Sequence, residues 1–378
     1  VTAAGVGPVV VACDKFKGTL TATEVGLSVA QGIHDASPQT QVVAVPVADG
    51  GDGTIEAITA AGFALAPVIA SGPTGLPVAT AYATRGAVAV VELADACGFV
   101  RLPAGRLEPM TASSHGVGEV LRAALDAGRR EIVLAIGGSA SSDGGAGMLE
   151  ALGAVLRTRD GKPLPRGGGA LDDLGGLDLS GLHPALAEAQ IILASDVRNP
   201  LLGVDGAVAV YGPQKGATGE AAVRLERGLE RWARVLADAT GHDHADSPGA
   251  GAAGGVGVAA MAALGARMES GVDLVLDLVG LDRHLDGASL VVTGEGSIDS
   301  QTLHGKTPVG VARAARRREV PVVGVCGRRA IPEDAARGAG IDRIFALQDI
   351  EPDRERSMAN AGPLLRRLAR HLAAELLP

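Results

Sequence analysis

The chain has 378 residues, 47% of them apolar, with 55 glycines and a net charge of −9 from 34 basic and 43 acidic residues. That length allows two or three domains with cores of their own. The acidic balance argues against a polyanionic partner, and 2% aromatic residues leave no stacking platform for single-stranded nucleic acid.

The start, VTAAGVGPVVVAC, has neither a charged n-region nor a long apolar core, so it reads as a first strand, Pro8–Cys13, and not as a signal peptide. This strand ends at Asp14-Lys15-Phe16-Lys17-Gly18 and is followed by a helix over Ala22–Ala36. A second strand, Val42–Val47, ends at Ala48-Asp49-Gly50-Gly51-Asp52-Gly53 before a helix through Ile55–Ala61. In both units the charged residues fall just beyond the strand's carboxyl end, the edge at which open α/β sheets bind ligands. Asp49 and Asp52 flank two glycines, and hard carboxylate oxygens of this kind suit Mg²⁺; an Asp N-cap with a plain turn is the other reading.

From about Phe63 the texture changes. Short segments (Ala66–Ala70, Val78–Ala83, Ala87–Leu93) between Gly/Pro turns predict paired strands and a second domain. A helix over Gly116–Ala127 leads to a strand over Glu131–Ile136 and then to Gly137–Gly147, a glycine- and serine-rich loop holding Ser139 and Asp143. Such a loop after a strand can turn backbone N–H groups toward an anion. A helix over Met148–Leu152 follows, and Gly161–Leu182 reads as a surface excursion.

The strand Ile191–Ala194 delivers Ser195-Asp196-Val197-Arg198-Asn199-Pro200, in which Asp196 is a general-base or metal-ligand candidate, with a capped turn as the alternative. Ala207–Tyr211 and the turn Gly212–Gly216 repeat the strand-and-turn pattern with Lys215. The helix Gly219–Ala239 places Leu225, Leu229, Trp232 and Leu236 on one structural face. His242 and His244 lie in a polar turn and read as surface, and Gly249–Gly257 precedes an Ala-rich helix.

After Gly287, strands at Leu290–Thr293, Val320–Cys326 and Arg343–Leu347 alternate with helices, the last spanning Glu355–Leu376. The loop Gly294–Thr307 is crowded with polar residues, including Glu295, Asp299, His304 and Lys306, and precedes a helix with Thr307 as N-cap and Pro308 at the first helical position. Ser300–Thr307 (SQTLHGKT) misses the phosphate-loop pattern by one residue, because glycine is required where Ser300 stands. It offers Lys306 and helix N–H groups to an anion. His304 either donates to a phosphate oxygen or is satisfied within its loop.

The predicted fold is α/β: a discontinuous, doubly wound Rossmann-like domain (residues 1–64 plus 287–378) holding a large inserted α/β domain (65–286), with the site in the interdomain cleft. Only five of the 34 basic residues are lysines, yet Lys15, Lys17, Lys215 and Lys306 all sit in turns beside Asp, Gln or Thr. A compact ammonium at those positions suits a small phosphate or carboxylate. The three widely spaced cysteines, Cys13, Cys97 and Cys326, fit reduced thiols in a cytoplasmic protein without a zinc site, and no run is long enough to span a membrane.

The segments DKFKGTL, PVADGGDGT, GGSASSDGGAGMLEALG, SDVRNPLLG, YGPQKGA, GAAGGVG and TGEGSIDSQTLHGKTPVGVA together resemble the type I glycerate kinase family over nearly the whole chain. The resemblance implies ATP- and Mg²⁺-dependent phosphorylation of D-glycerate, usually at the 2-hydroxyl in bacterial members, and a two-domain α/β fold. Another small hydroxy acid as acceptor, or a non-catalytic binding protein, are the competing functions. Where members of that family usually carry Ser, Asn, Thr and Arg, this chain carries Lys15, Ser142, Arg198 and Ser297.

Phosphoryl transfer requires mainly positioning and charge neutralisation. Asp196 is the expected proton acceptor, with Asp143 as second choice, and Lys17 and Lys306 are the expected catalytic cations. Asp14, Lys15, Ser139, Arg198, Asn199, Lys215, His304 and Thr307 are expected to bind substrate or phosphate, and Asp49, Glu295 and Asp299 to bind metal.

Overall fold

The computed structural model describes residues 7–377. In chain order the strands are β1 (Val9–Cys13), β2 (Val42–Ala44), β3 (Ala64–Ser71), β4 (Pro77–Arg85), β5 (Val88–Glu92), β6 (Glu131–Ala135) and β7 (Val155–Thr158). They continue with β8 (Leu174–Asp178), β9 (Gln190–Ala194), β10 (Arg267–Glu269), β11 (Leu290–Ile298), β12 (Val322–Arg329) and β13 (Arg343–Ala346). The chain forms two compact units: one holds the residues up to Asp49, Glu56–Gly62 and everything from Val272 on, the other Gly50–Ile55 and Phe63–Gly271.

The first unit is built on a five-stranded sheet in the order β13-β12-β11-β1-β2, parallel throughout. Near-continuous Val/Leu runs form these strands because both faces are buried. Val9, Val11, Leu290, Val292, Val323 and Val325 share one core with Val25, Val29 and Ile33 of the helix Ala22–Ala36 and with Leu365, Leu368 and Leu372 of the helix Ala361–Leu376. Those two helices touch closely: a Cβ on Gly32 would lie 2.2 Å from the Arg366 carbonyl oxygen. Strand order reverses between β1 and β11, and in open parallel sheets ligands bind beyond the carboxyl ends at such a reversal.

Three expectations change here. The strand expected over Leu290–Thr293 runs on to Ile298, through residues read as loop, because Glu295 pairs with Cys326 and Ser297 with Arg328. Lys306, not Thr307, is the N-cap of the helix Thr307–Arg316, so Pro308 falls second; the Thr307 hydroxyl is engaged elsewhere. The last helix is broken at Asn360 into Arg354–Ala359 and Ala361–Leu376. Pro363 lacks an N–H and is accommodated in the first turn of a new helix.

The second unit carries a six-stranded sheet, β10-β9-β6-β5-β4-β3. β3, β4 and β5 form an antiparallel meander, and β5, β6, β9 and β10 are parallel. The helix Gly219–Thr240 buries Leu225, Leu229, Trp232 and Leu236, the face its period predicts. It packs over β8 and the 3₁₀ turn Gly168–Asp173, so Gly161–Leu182 is not a surface excursion: Gly168, Gly169, Leu171 and Leu174 are buried. Ala207–Tyr211 is a helix and not a strand, closed by bonds from Val210 N–H to the Gly206 carbonyl and from Gly212 N–H to that of Val208.

No helix among the described residues is long and apolar enough to cross a membrane. All three cysteines are free and buried.

Candidate active site

In the first unit the loops beyond β1 and β11 meet at the reversal of strand order. Asp14 follows β1 directly, its N–H bonded to the Gly294 carbonyl at 2.8 Å. Its carboxylate accepts from the Lys15 N–H at 2.7 Å and from the Thr307 hydroxyl at 2.9 Å. Burial pushes the Asp14 carboxyl up to about 7, with the neighbouring charges of Asp49 and Glu295 adding to the rise and the Thr307 and Lys15 hydrogen bonds opposing it.

Glu295 sits on the extension of β11, its side chain 14% exposed. The Thr302 hydroxyl donates to it at 2.6 Å, and Lys306 Nζ lies 4.0 Å from its other oxygen. Burial raises the Glu295 carboxyl, helped by Asp49 and Asp299 and opposed by Thr302 and Lys306. Asp299 shapes the turn instead of pointing both oxygens at a ligand: one oxygen accepts from Gln301 N–H at 2.8 Å and Thr302 N–H at 3.4 Å. Thr302 is fully buried, and sequence reasoning missed it although it lies inside the SQTLHGKT segment.

Two glycines make this arrangement possible. A Cβ on Gly294 would stand 2.0 Å from the Val325 carbonyl oxygen, and one on Gly296 would crowd Phe16 and Lys17 N. The Asp14–Gly18 turn therefore lies directly against the end of β11. Lys17 itself is exposed and Lys15 half-buried. The side chain of His304 lies outside the described residues.

Among the described residues no three His, Cys, Asp or Glu side chains stand together as a metal cage. Mg²⁺ does not require one, because it retains waters and takes one or two carboxylates plus substrate phosphates. A bound cation would relieve the mutual repulsion of Asp14, Asp49 and Glu295, and their oxygens are the hard donors Mg²⁺ prefers, so these residues fit it.

The second unit gathers Ser139, Asp143 and Lys215. Asp143 is buried and takes five hydrogen bonds: from the hydroxyls of Ser113 and Ser114 and from the N–H groups of Ser114, Gly145 and Gly147. Lys215, 3% exposed, donates to Ser139 Oγ at 2.8 Å and to the Ser141 carbonyl. Burial pulls its ammonium down to about 7, with Asp143 opposing the fall. Sequence reasoning missed Ser113, Ser114 and also Glu92, whose carboxylate accepts from Gly53 N–H at 3.0 Å and Ile55 N–H at 2.9 Å and so holds the Asp52 turn. Burial pushes Glu92 up to about 7, with Asp52 and Asp95 adding to the rise against those two bonds.

Beyond β9, Asp196 and Arg198 are exposed. Asn199 ties the loop instead, donating to the Asp205 carbonyl at 2.9 Å and accepting from the Tyr211 hydroxyl at 2.8 Å. A groove of about 540 Å³ lined by His115, Glu119, Arg122, Glu150 and Arg166 contains none of the predicted residues.

Comparison with known proteins agrees with this architecture. The model of the glycerate kinase family matches residues 9–377. The chain is 41% identical to the glycerate 2-kinase of Escherichia coli (strain K12) over 371 residues, covering 97% of each chain. It is 39% identical to the glycerate kinase of Bacillus subtilis (strain 168), again over 97% of both. A solved structure from Salmonella typhimurium LT2, assigned as a glycerate kinase 2, superposes with a TM-score of 0.84 at 40% identity and 98% coverage of both chains. The chain belongs to the glycerate kinase family.

Proposed function

We propose that this enzyme transfers the γ-phosphoryl group of ATP to the 2-hydroxyl of D-glycerate, releasing 2-phosphoglycerate and ADP. The observation that carries this reading is the meeting of Asp14, Glu295, Lys306 and the amino end of the helix Thr307–Arg316 at the strand-order reversal of one parallel sheet. A cation and a helix N-terminus favour phosphate, and the carboxylates supply hard oxygens beside it. The similarity to a glycerate 2-kinase supports the 2-hydroxyl over the 3-hydroxyl.

Lys306, with its side chain one-third exposed, neutralises charge on the transferring phosphoryl group, and Lys17 contacts the outer phosphates. Asp49 and Glu295 would hold Mg²⁺, with Asp299 fixing Glu295 through Thr302. When bound, the ion neutralises phosphate charge. Asp196 accepts the hydroxyl proton; Asp143 is the weaker choice because five donors already occupy its carboxylate. Arg198 or Lys15 takes over anion binding from the arginine in whose place Ser297 stands.

ADP release with ATP, Mg²⁺ and a panel of small hydroxy acids tests the proposal, with phosphorus NMR of the product. D-Glycerate as best acceptor and a 2-phosphate resonance are expected. A 3-phosphate product overturns the regiochemistry, and preference for another hydroxy acid overturns the substrate.

A further inference from the structure

Of the five lysines, all within the described residues, Lys215 alone is buried. It closes the short 3₁₀ turn Pro213–Lys215, and its ammonium reaches across to the loop beyond β6. In its charged form the ammonium has hydrogens but no acceptor lone pair, so Ser139 Oγ then accepts the 2.8 Å bond. The hydroxyl proton of Ser139 is then directed elsewhere. The second bond, to the Ser141 carbonyl, fixes the backbone two residues on.

The surroundings are built for this contact. Gly254 has φ +68°, and a Cβ there would lie 2.2 Å from the Ser141 carbonyl oxygen and 2.8 Å from Lys215 Nζ. The Gly254 carbonyl in turn accepts from Gly144 N–H at 3.0 Å, locking the far end of the same loop. Ser141 Oγ is buried without a hydrogen-bond partner, so that hydroxyl does not hold the segment; the two Lys215 bonds do, beside the Ala140 N–H bond to the Cys97 carbonyl at 2.9 Å. The charged group facing the ammonium is Asp143, from that loop.

We infer that Lys215 is a positioning residue for phosphoryl transfer: it pins the Ser139–Ser142 segment and commits the Ser139 hydroxyl to donate its proton to an anionic substrate oxygen. This rests on the kinase reading and assigns Lys215 a role through Ser139 rather than direct contact with a phosphate.

A double-mutant cycle tests it, with kcat/KM measured on the acceptor that the wild type phosphorylates. Lys215→Met and Ser139→Ala are each expected to lower kcat/KM by about 10²-fold, the scale of a misplacement of about 1 Å, and the double variant should fall no further. Losses that multiply, or a Lys215→Met variant within about twofold of wild type, overturn the inference. Hydrogen exchange provides a readout independent of turnover: amides 139–147 should exchange at least about tenfold faster in Lys215→Met while β6 is unchanged. Unchanged loop exchange overturns the pin. Lys215→Gln, which keeps a polar end, serves if the Met variant does not fold. Should the wild type fail to phosphorylate D-glycerate, the functional reading falls while the exchange result still decides the pin.

Discussion

The Asp14 carboxylate and the Thr307 hydroxyl, 293 positions apart in the chain, meet at 2.9 Å. The contact ties the end of β1 to the first residue of the helix that follows β11, across the strand-order reversal. It explains why Thr307 does not cap its own helix: its hydroxyl serves the neighbouring loop. Replacing Thr307 with Val keeps the shape and removes a bond that lowers the Asp14 pKa. The expected result is an Asp14 titration moved further upward, visible as an upward shift of the acidic limb of the pH–activity profile. An unmoved limb removes Asp14 from the groups that control it.

Stability should pass through a minimum near neutral pH. Asp14 titrates at about 7 when folded against an ordinary 3.8, and Glu92 at about 7 against 4.5. Between those values the folded chain binds protons that the unfolded chain has released, so stability falls as pH rises toward 7. Lys215 acts in the opposite sense: folded about 7 against 10.5, it leaves the unfolded chain holding the extra proton, so stability rises from 7 upward. Urea midpoints of metal-free protein across pH 5–9 check this. Asp14→Asn and Glu92→Gln should each flatten the lower limb, and Lys215→Met the upper one.

Lys306→Met should cut kcat by about 10²–10³-fold with an unchanged thermal midpoint, because a charge contact made in the transition state is removed. The Glu295 carboxylate is 4.0 Å away, too long for a hydrogen bond that the fold would need there. A tenfold or smaller loss takes Lys306 out of the catalytic set.

What could be read from the residues follows their physics. β1, β9 and the buried face of the helix Gly219–Thr240 were legible because hydrophobic period is a local property. The gathering of Asp and Lys just beyond the carboxyl ends of strands was legible because it is written in residue order. The extension of β11 through Gly294–Ile298 was not, since glycine and polar residues there have poor strand propensity and the pairing is imposed by β12. Nor were Thr302, Ser113 and Ser114, whose partners are fixed only by folding. The helix at Ala207–Tyr211 was missed because A-V-A-V-Y alternates as a strand does, and five residues are too few to separate the two periods.

The final prediction concerns the same loop that Lys215 holds. Gly254 combines a left-handed backbone with contacts of 2.2 Å and 2.8 Å awaiting any side chain, one of them to a backbone oxygen that cannot swing aside. Gly161 has a similar φ of +81° but nothing within 4 Å. Backbone strain alone costs about 1–2 kcal/mol for a non-glycine residue, so Gly161→Ala measures that term. Gly254→Ala carries it as well and must also displace Ser141 and Lys215, for which overpacking adds about 1–3 kcal/mol. Urea unfolding of the two variants should therefore differ by the overpacking term. Activity should separate them further: Gly161→Ala keeps wild-type kcat/KM, whereas Gly254→Ala loses it with the loop. Equal stabilities and equal turnover would mean the loop beyond β6 yields freely, and that neither Gly254 nor the lysine beside it controls its shape.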